Sequence, residues 1–251
     1  MCGQIVSRET FMIDKHIGIL KEYLIENKLP YSSDIINRFT IYTKLLKMSP
    51  HNLTAIKDIE EIIIKHFIDS ISLAKFYKNF DKNVKILDIG TGAGFPGIPL
   101  KILFPEIELY LIESIKKKTE FIKNLIDKLA ISGIIILNER AELLAHRDKL
   151  RESFDLVVSR AFAELPILLE ISAPFSKVNG LVVAYKGKNV KEELERADKA
   201  IKILKLFIKD IYFYNLPLID YKRSLIFFEK LEKTLERYPR RPGIPQKRPL
   251  I

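Results

Sequence analysis

Four closely spaced glycines follow an apolar segment and an aspartate in the sequence ILDIGTGAGFPGIP at 86–99. Glycine has no Cβ and tolerates backbone angles that other residues avoid, so such a segment lets the backbone approach a ligand closely. The apolar residues 84–89 are typical of a buried strand in a parallel sheet. Pro96 and Pro99 favour the start of a helix directly afterwards. The pattern predicts the first strand, turn and helix of a nucleotide-binding fold.

Two classes of ligand fit this turn. From Gly92 to Gly97 the glycines match the dinucleotide spacing G-x-G-x-x-G, and Glu113 follows where an acidic residue would bind ribose hydroxyls. A nicotinamide dinucleotide is therefore one candidate. Asp88 favours the other, because a carboxylate before the glycines would repel a pyrophosphate but suit the sulfonium and amino groups of S-adenosylmethionine (AdoMet). The residues expected to bind AdoMet on these grounds are Asp88, Gly92, Gly94 and Glu113.

The residue types that the chain lacks limit which atoms could accept the methyl group. Methylation of a pyrimidine carbon needs a cysteine nucleophile, and the only cysteine is Cys2, far from the predicted sheet. Enzymes that methylate exocyclic amines usually share an Asn/Asp-Pro-Pro-aromatic sequence after the fourth strand of their sheet. The fourth strand predicted for this chain covers 154–159, and SRAF at 159–162 stands in that place. Guanine N7 carries a lone pair and no proton, so its methylation needs no general base and depends on positioning and electrostatics.

Three further side chains could take part. Phe162 is a candidate for stacking on an extruded base, although an aromatic residue after a strand more often packs in the core. His66 and Asp69 lie three residues apart on a predicted helix and could form a hydrogen-bonded pair. The four histidines share no metal-ligand spacing, so we expect no metal site.

Strands and helices alternate from residue 84 onward, which is typical of a doubly wound α/β fold. The pattern predicts strands at 84–89, 107–112, 133–137, 154–159, 178–185, 210–216 and 223–231. It predicts helices at 12–28, 32–48, 59–78, 97–104, 115–130, 140–149, 163–173 and 188–207. The short segment between the last two strands favours an antiparallel hairpin. We expect a Rossmann-like class I AdoMet-dependent methyltransferase fold, with a seven-stranded, mostly parallel sheet that ends in this hairpin.

The expected organisation is a helical extension at 1–82, an AdoMet-binding domain at 83–237 and a basic, proline-rich tail at 238–251. The net charge is +10, and residues 222–251 hold nine Lys or Arg against three Glu. Four prolines in the tail predict an extended basic arm that binds a polyanion, the alternative being a solubilising tail. No apolar run is long enough to span a bilayer and no signal peptide is recognisable, so we expect a cytoplasmic protein without a membrane partner.

Several motifs together resemble a known family. They are NLTAI at 52–56, HFIDS at 66–70, ILDIGTGAGFPGIPL at 86–100, LIESIKKKTEF at 111–121, ERAE at 139–142, SRAFA at 159–163, YKGK at 185–188 and YPRRPGIPQKRPL at 238–250. In this order they resemble the bacterial methyltransferases that form 7-methylguanosine in small-subunit (16S) ribosomal RNA, the glucose-inhibited division protein B family. The resemblance covers nearly all of the chain after about residue 40.

The resemblance implies AdoMet binding by Gly90, Phe95, Ala141, Glu142 and Arg160. It also implies three catalytic candidates that contact or position the substrate, with Arg160 preferred; ion pairs with Glu139 or Glu142 are the structural alternative for these basic residues. The three are Arg140, Arg160 and Lys186. The implied partner is 16S rRNA or the small ribosomal subunit, and no oligomer is implied.

The implied activity is therefore AdoMet-dependent methylation of guanine N7 in this RNA. Two other hypotheses for the function stay open at this point. One is an NAD(P)-dependent oxidoreductase, which rests on the glycine spacing. The other is an RNA-binding protein or ribosome assembly factor that keeps the fold without the activity.

Overall fold

The amino-terminal part of the chain is helical in the computed structural model, which describes residues 8–50, 53–80 and 83–251. Its helices are α1 (Arg8–Glu26), α2 (Ser33–Met48), α3 (Ile59–Glu61), the π-helix π1 (Ile62–Ile68), α4 (Asp69–Ile71) and α5 (Leu73–Phe76). Ser32 caps α2, because its hydroxyl accepts a hydrogen bond from the backbone N–H of Ile35 at 3.2 Å. The NLTAI motif begins at Asn52, which lies outside the described residues.

The third predicted helix, at 59–78, is not a regular α-helix, because π1 occupies its centre. Arg160 explains the departure. Its Nη1 donates to the carbonyl oxygens of Lys65 at 3.0 Å and His66 at 3.1 Å, both inside π1. A side chain that inserts into the carbonyl ladder is a known cause of irregular helix geometry. The apolar pattern of this segment suits either helix type and could not distinguish them.

Seven strands form one sheet in the order β3-β2-β1-β4-β5-β7-β6. The strands are β1 (Lys85–Ile89), β2 (Glu108–Ile112), β3 (Ile134–Leu137), β4 (Phe154–Arg160), β5 (Ser176–Lys186), β6 (Leu206–Asn215) and β7 (Lys222–Lys230). The first five strands are mutually parallel, while β7 is antiparallel to both β5 and β6. The predicted fold class, with its terminal antiparallel hairpin, is confirmed.

Helices connect the first six strands, and two of these helices end well before the predicted residue. The connecting helices are α6 (Gly97–Leu103), α7 (Lys116–Leu129), α8 (Ala141–Leu144), α9 (Leu165–Ser172) and α10 (Val190–Ile203), and a short helix α11 (Ile244–Lys247) follows the last strand. The helix predicted at 140–149 is much shorter, and the helix predicted at 188–207 ends at Ile203. Lys205 has a φ of +56°, which stops α10 and lets β6 begin four residues earlier than predicted.

Apolar side chains cover both faces of the sheet. One cluster joins Tyr42 of α2 and Phe67 of π1 to Ile86 of β1 and Val158 of β4. The other cluster lies on the opposite face, under α8, α9 and α10. The helical extension therefore shares a core with the sheet, and its division from the sheet at residue 82 stays a prediction. Among the described helices, none has the length and apolarity that a membrane span requires.

The carboxyl-terminal tail is folded against the domain, so the predicted extended arm is wrong. Tyr238 and Leu250 are buried in the cluster under α9. The fully buried Glu170 of α9 accepts two hydrogen bonds from the Arg240 guanidinium, of 2.8 and 2.6 Å, and one from its backbone N–H at 3.0 Å. Charge and proline content could not reveal these long-range contacts. The exposed basic side chains of the tail include Arg241, Lys247 and Arg248.

Candidate functional site

A cavity of about 230 Å³ lies at the carboxyl ends of β1, β2, β3 and β4. Ligands of open α/β sheets bind at this edge, at the point where the strand order reverses direction. Here the order reverses between β1 and β4. The lining residues are Ile89, Gly90, Ile112, Glu113, Ser114, Lys118, Glu139, Arg140, Ala141, Glu142, Ala161 and Phe162.

The glycine turn after β1 forms one wall of this region. Gly90, Gly92 and Gly94 all have positive φ angles, of +68°, +62° and +105°. A Cβ at Gly90 would overlap the ring of Phe162, and a Cβ at Gly94 would lie 2.7 Å from the hydroxyl of Tyr42. A Cβ at Gly92 would meet no protein atom within 4 Å. Glycine is thus required by packing at positions 90 and 94, whereas the space beside Gly92 is open. Of these three glycines only Gly90 lines the cavity itself.

Asp88 supports the turn from behind instead of lining the cavity. Its Oδ2 accepts hydrogen bonds from the Thr91 hydroxyl at 2.6 Å and from the Gly97 N–H at 2.8 Å. These bonds connect the end of β1 to the first turn of α6. Burial raises the pKa of Asp88 to about 7, although both hydrogen bonds act in the opposite direction. The other carboxylate oxygen, Oδ1, is buried without a partner.

Glu113 presents a carboxylate in the cavity at the end of β2. It accepts hydrogen bonds from the Gly92 N–H at 3.1 Å and the Ile115 N–H at 2.8 Å, and Lys118 Nζ lies 3.9 Å away. The side chain is only about 6% exposed. An ionised carboxylate only accepts hydrogen bonds, so the oxygens of Glu113 suit a ligand that brings hydroxyl donors.

Glu142 and Arg140 form an ion pair on the β3 side of the cavity. Arg140 Nη2 lies 2.5 Å from Glu142 Oε1, and Glu142 is 1% exposed while the Arg140 side chain is about half exposed. Burial is the largest single influence and raises the pKa of Glu142, but the hydrogen bond and charge of Arg140, together with backbone hydrogen bonds, outweigh it, so this pKa is lowered. Arg140 therefore forms the ion pair with Glu142 that was expected as the structural alternative to a substrate contact. Ala141, between the two, also lines the cavity.

Arg160 and Phe95 lie outside the residues that line the cavity. The Arg160 side chain is 8% exposed and binds Asp69 of α4 at 3.1 Å, in addition to the two carbonyls of π1. Its guanidinium lies 5.1 Å from the ring centroid of Phe95, and that ring stacks on His66 at 4.7 Å. Phe95 is thus packed in the core, between the glycine turn and the helical extension.

Lys186, at the end of β5, contacts the loop after β4. Its Nζ donates to the carbonyl oxygen of Ala163 at 2.9 Å and lies 2.5 Å from Glu193. The side chain is only 10% exposed and borders a second cleft, between α9 and α10. Lys186 therefore holds the loop that carries Ala161 and Phe162. Ala161 is strained in this loop, with a φ of +51°.

The predicted His66–Asp69 hydrogen bond is absent, because Arg160 lies between the two side chains. Asp69 is 3% exposed and binds two arginines and a tyrosine, none of which the sequence predicted as its partner. The partners are Arg160, Arg223 at 3.0 Å and Tyr214 at 2.7 Å. They come from three different strands, so no local spacing in the sequence could have predicted them.

These residues fit AdoMet as a ligand. The open space beside Gly92 and the two carboxylate oxygens of Glu113 in the cavity suit a molecule that carries ribose hydroxyls. Among the side chains that the structure describes, no group of three or more His, Cys, Asp or Glu is placed to hold a metal ion.

Solved structures share this fold at low sequence identity. A SAM-dependent methyltransferase from Aquifex aeolicus matches with a TM-score of 0.53 and 15% identity, over 72% of this chain and 99% of that one. The ribosomal protein L11 methylase of Lactobacillus delbrueckii subsp. bulgaricus matches with a TM-score of 0.51 and 16% identity, over 67% and 79%. This likeness shows the fold of an AdoMet-dependent methyltransferase.

Sequence relatives are much closer. The chain is 44% identical over 233 residues to the ribosomal RNA small subunit methyltransferase G of Carboxydothermus hydrogenoformans, with 92% of this chain and 98% of that protein covered. It is 45% identical over 237 residues to the protein of the same name from Acetivibrio thermocellus, with 92% and 97% covered. The pattern that defines the family rRNA small subunit methyltransferase G matches residues 35–224. The resemblance found in the motifs is thereby confirmed, and this chain belongs to the rRNA small subunit methyltransferase G family.

Proposed function

We propose that this protein transfers the methyl group of AdoMet to N7 of a guanosine in the 16S rRNA of the small ribosomal subunit. The observation that carries the proposal is the cavity between the glycine turn and Glu113, at the carboxyl ends of the strands, in a chain of this family. The relatives are named for methylation of small-subunit rRNA, and the fold is that of AdoMet-dependent enzymes. This substrate implies activity in the cytoplasm.

AdoMet supplies an activated methyl group, and the cavity residues hold it. The backbone at Gly90 and Gly92 would allow close approach, while Glu113 would accept hydrogen bonds from the ribose hydroxyls. Ala141 and Glu142, which line the cavity after β3, are the candidates for contact with the adenine. Asp88 and Phe95 act on AdoMet binding through the turn that they support, since both are buried behind it.

Guanine N7 suits these surroundings because its methylation releases no proton from the attacking atom. The twelve residues that line the cavity include no histidine or cysteine, and N7 needs neither a base nor a thiol. The methylated ring carries a positive charge. This charge is tolerated because the nearby guanidiniums are paired, Arg140 with Glu142 and Arg160 with Asp69.

The remaining sequence candidates fit roles in placing the guanine. Phe162 is partly buried in the cavity wall and presents a ring on which a base can stack. Lys186 and Arg160 hold the two ends of the loop that carries Phe162, so they are positioning residues. Arg140 is half exposed at the cavity, where its free N–H groups can contact RNA phosphate or O6 of the base. The helical extension and the exposed cations of the tail would add contacts with RNA.

The test is methyl transfer from labelled AdoMet to small ribosomal subunits purified from cells that lack this activity, followed by nucleoside analysis. The proposal predicts label in 7-methylguanosine, and much less label with Glu113→Gln, which keeps the shape of the side chain but loses its charge. Glu120→Gln, at an exposed position of α7, is the matched control and should retain activity. Label in another nucleoside, or none with folded protein and a competent substrate, would contradict the proposal.

A further inference from the structure

A second surface with the chemistry of an RNA contact lies at the same edge of the sheet as the cavity. Lys186, the last residue of β5, pairs with Ser224 near the start of β7, and Asn215 at the end of β6 pairs with Lys222. The loop 216–221 between β6 and β7 therefore emerges at the carboxyl edge of the parallel strands. We call the exposed part of this loop, together with Lys222, the hairpin platform.

The loop is held in a fixed shape. Leu216 is 3% exposed, and Ile219 packs against the core between the sheet and the helical extension. The N–H of Leu216 donates to the carbonyl of Tyr221 at 3.3 Å, and the N–H of Tyr221 donates to the carbonyl of Ile219 at 2.9 Å. These anchors leave the Tyr221 side chain on the surface, 44% exposed. A loop whose backbone is held in place before binding loses less entropy when it binds.

Cations surround the Tyr221 ring. Lys65 Nζ and Arg223 Cζ each lie 5.7 Å from its centroid, and Lys222 next to it is exposed. Acidic groups neutralise part of this charge, because Glu61 binds Lys65 at 2.5 Å and Asp69 binds Arg223. Exposed Lys188 belongs to the neighbouring loop after β5, whose Gly187 carbonyl accepts the Ser224 hydroxyl at 2.8 Å. The exposed charge is then that of Lys222 and Lys188 against Asp220.

The platform is linked to the cavity through one carboxylate. Asp69 binds Arg223, beside Tyr221, at 3.0 Å, and it binds Arg160 at 3.1 Å. Arg160 directly precedes Ala161 and Phe162, which line the cavity. The platform and the proposed guanine site are therefore connected along one edge by two buried ion pairs.

We propose that Tyr221 stacks on a nucleobase of the rRNA strand next to the methylated guanosine, while Lys222 and Lys188 contact its phosphates. This inference rests on the proposed function, since the rRNA is its partner. Exposed aromatic rings beside cations are the usual means of binding unpaired nucleotides, because every base offers a π-face and every linkage a charge. A guanine that is extruded into the cavity requires unpaired neighbours of this kind.

The experiment compares four proteins, the wild type and the variants Tyr221→Ala, Tyr221→Phe and Phe207→Ala. Phe207 is the matched control, because it is an exposed aromatic residue (55%) at the opposite end of β6. Each protein is titrated with deproteinised 16S rRNA and with unmethylated small subunits, and KM and kcat for methyl transfer are measured alongside AdoMet affinity. Tyr221→Ala should weaken RNA binding and raise the RNA KM about 5- to 100-fold, which corresponds to one lost stacking contact.

Tyr221→Phe and Phe207→Ala should retain wild-type RNA affinity, and AdoMet affinity should be the same in all four proteins. Equal RNA affinity of the wild type and Tyr221→Ala would overturn the inference and leave the proposed function standing. A loss seen with subunits but not with deproteinised rRNA would also overturn it, because the partner of Tyr221 would then be a ribosomal protein. If the wild type transfers no methyl group, the proposed function fails, and the RNA titrations still decide the role of Tyr221.

Discussion

Arg160 Nη1 lies 3.1 Å from Asp69 Oδ2, and this buried ion pair joins the end of β4 to the helical extension. Both side chains are less than a tenth exposed. The same guanidinium also binds two carbonyls of π1 and faces the Phe95 ring. Arg160 therefore connects the extension, the glycine turn and the loop that carries Phe162, without itself lining the cavity.

Arg160→Ala should lower the free energy of unfolding by about 3 kcal/mol, because it leaves carbonyls and a buried carboxylate with fewer partners. Turnover should fall as well, since the loop at Ala161 loses its support. Urea denaturation and methyl-transfer rates measure the two effects. Arg196→Ala is the control, because Arg196 forms an exposed pair with Glu164 that contributes less than about 1 kcal/mol. Unchanged stability of Arg160→Ala would show that these contacts do not hold the extension.

Gly92→Leu should abolish AdoMet binding, because its side chain would fill the open space beside the turn. The positive φ of Gly92 adds strain of about 1 kcal/mol, which by itself would only reduce stability. Gly243→Leu separates these effects, since Gly243 also has a positive φ and open space at its Cβ position, and the substitution keeps the backbone N–H that binds Glu142. Calorimetric titration should show AdoMet binding by Gly243→Leu and none by Gly92→Leu. Equal affinities would exclude the space beside Gly92 from the AdoMet site.

The tail should contribute to stability through one arginine and to RNA binding through its neighbour. Arg240→Ala should cost about 3 kcal/mol of unfolding free energy, because Glu170 is fully buried and would lose its ion pair. Arg241→Ala, at an exposed position, should leave stability unchanged. It should weaken rRNA binding and lower by about one the slope of the logarithm of the binding constant against the logarithm of the salt concentration. The opposite assignment of the two effects would contradict the observed packing of the tail.

His66 should make the protein sensitive to acid. Arg160 can only donate hydrogen bonds, so His66 Nδ1 accepts from it at 3.3 Å and Nε2–H donates to the Thr54 hydroxyl at 2.6 Å. Burial, followed by the charge of Arg160, lowers the pKa of His66 from 6.5 to about 3. Between these values the unfolded chain binds the extra proton, so the free energy of unfolding falls as pH falls.

The corresponding measurement is urea denaturation of the wild type and His66→Gln between pH 7 and pH 4.5. The wild type should lose about 2 kcal/mol more than the variant over this range, because glutamine takes up no proton. A difference between the two proteins that stays constant with pH would show that the pKa of His66 is the same in the folded and the unfolded chain.

The sequence predicted those features that depend on local pattern. The apolar segment, the glycines and Glu113 predicted the turn and its acidic neighbour, and the alternation of strands and helices predicted the sheet with its closing hairpin. These elements leave only a few possible strand orders, since connections between parallel strands are short and right-handed. The structure shows which of them the chain adopts.

Features that depend on distant pairs were beyond such patterns. Asp69 is 91 residues from Arg160 and 154 from Arg223 in the chain, and Arg240 is 70 residues from Glu170. In these pairs Arg160, Arg223 and Arg240 have structural roles, although residue type and charge alone favoured contacts with RNA or AdoMet for them. The π-helix π1 is a further feature that local pattern could not predict, because its geometry accompanies the insertion of Arg160 from β4.

AdoMet should bind between the glycine turn and Glu113, and a crystal structure of the protein with AdoMet is the direct test. We expect the ribose hydroxyls at the Glu113 carboxylate and the bound molecule beside Gly92, with Asp88 behind the turn. AdoMet at another place, or an empty cavity in folded protein saturated with AdoMet, would contradict this binding mode.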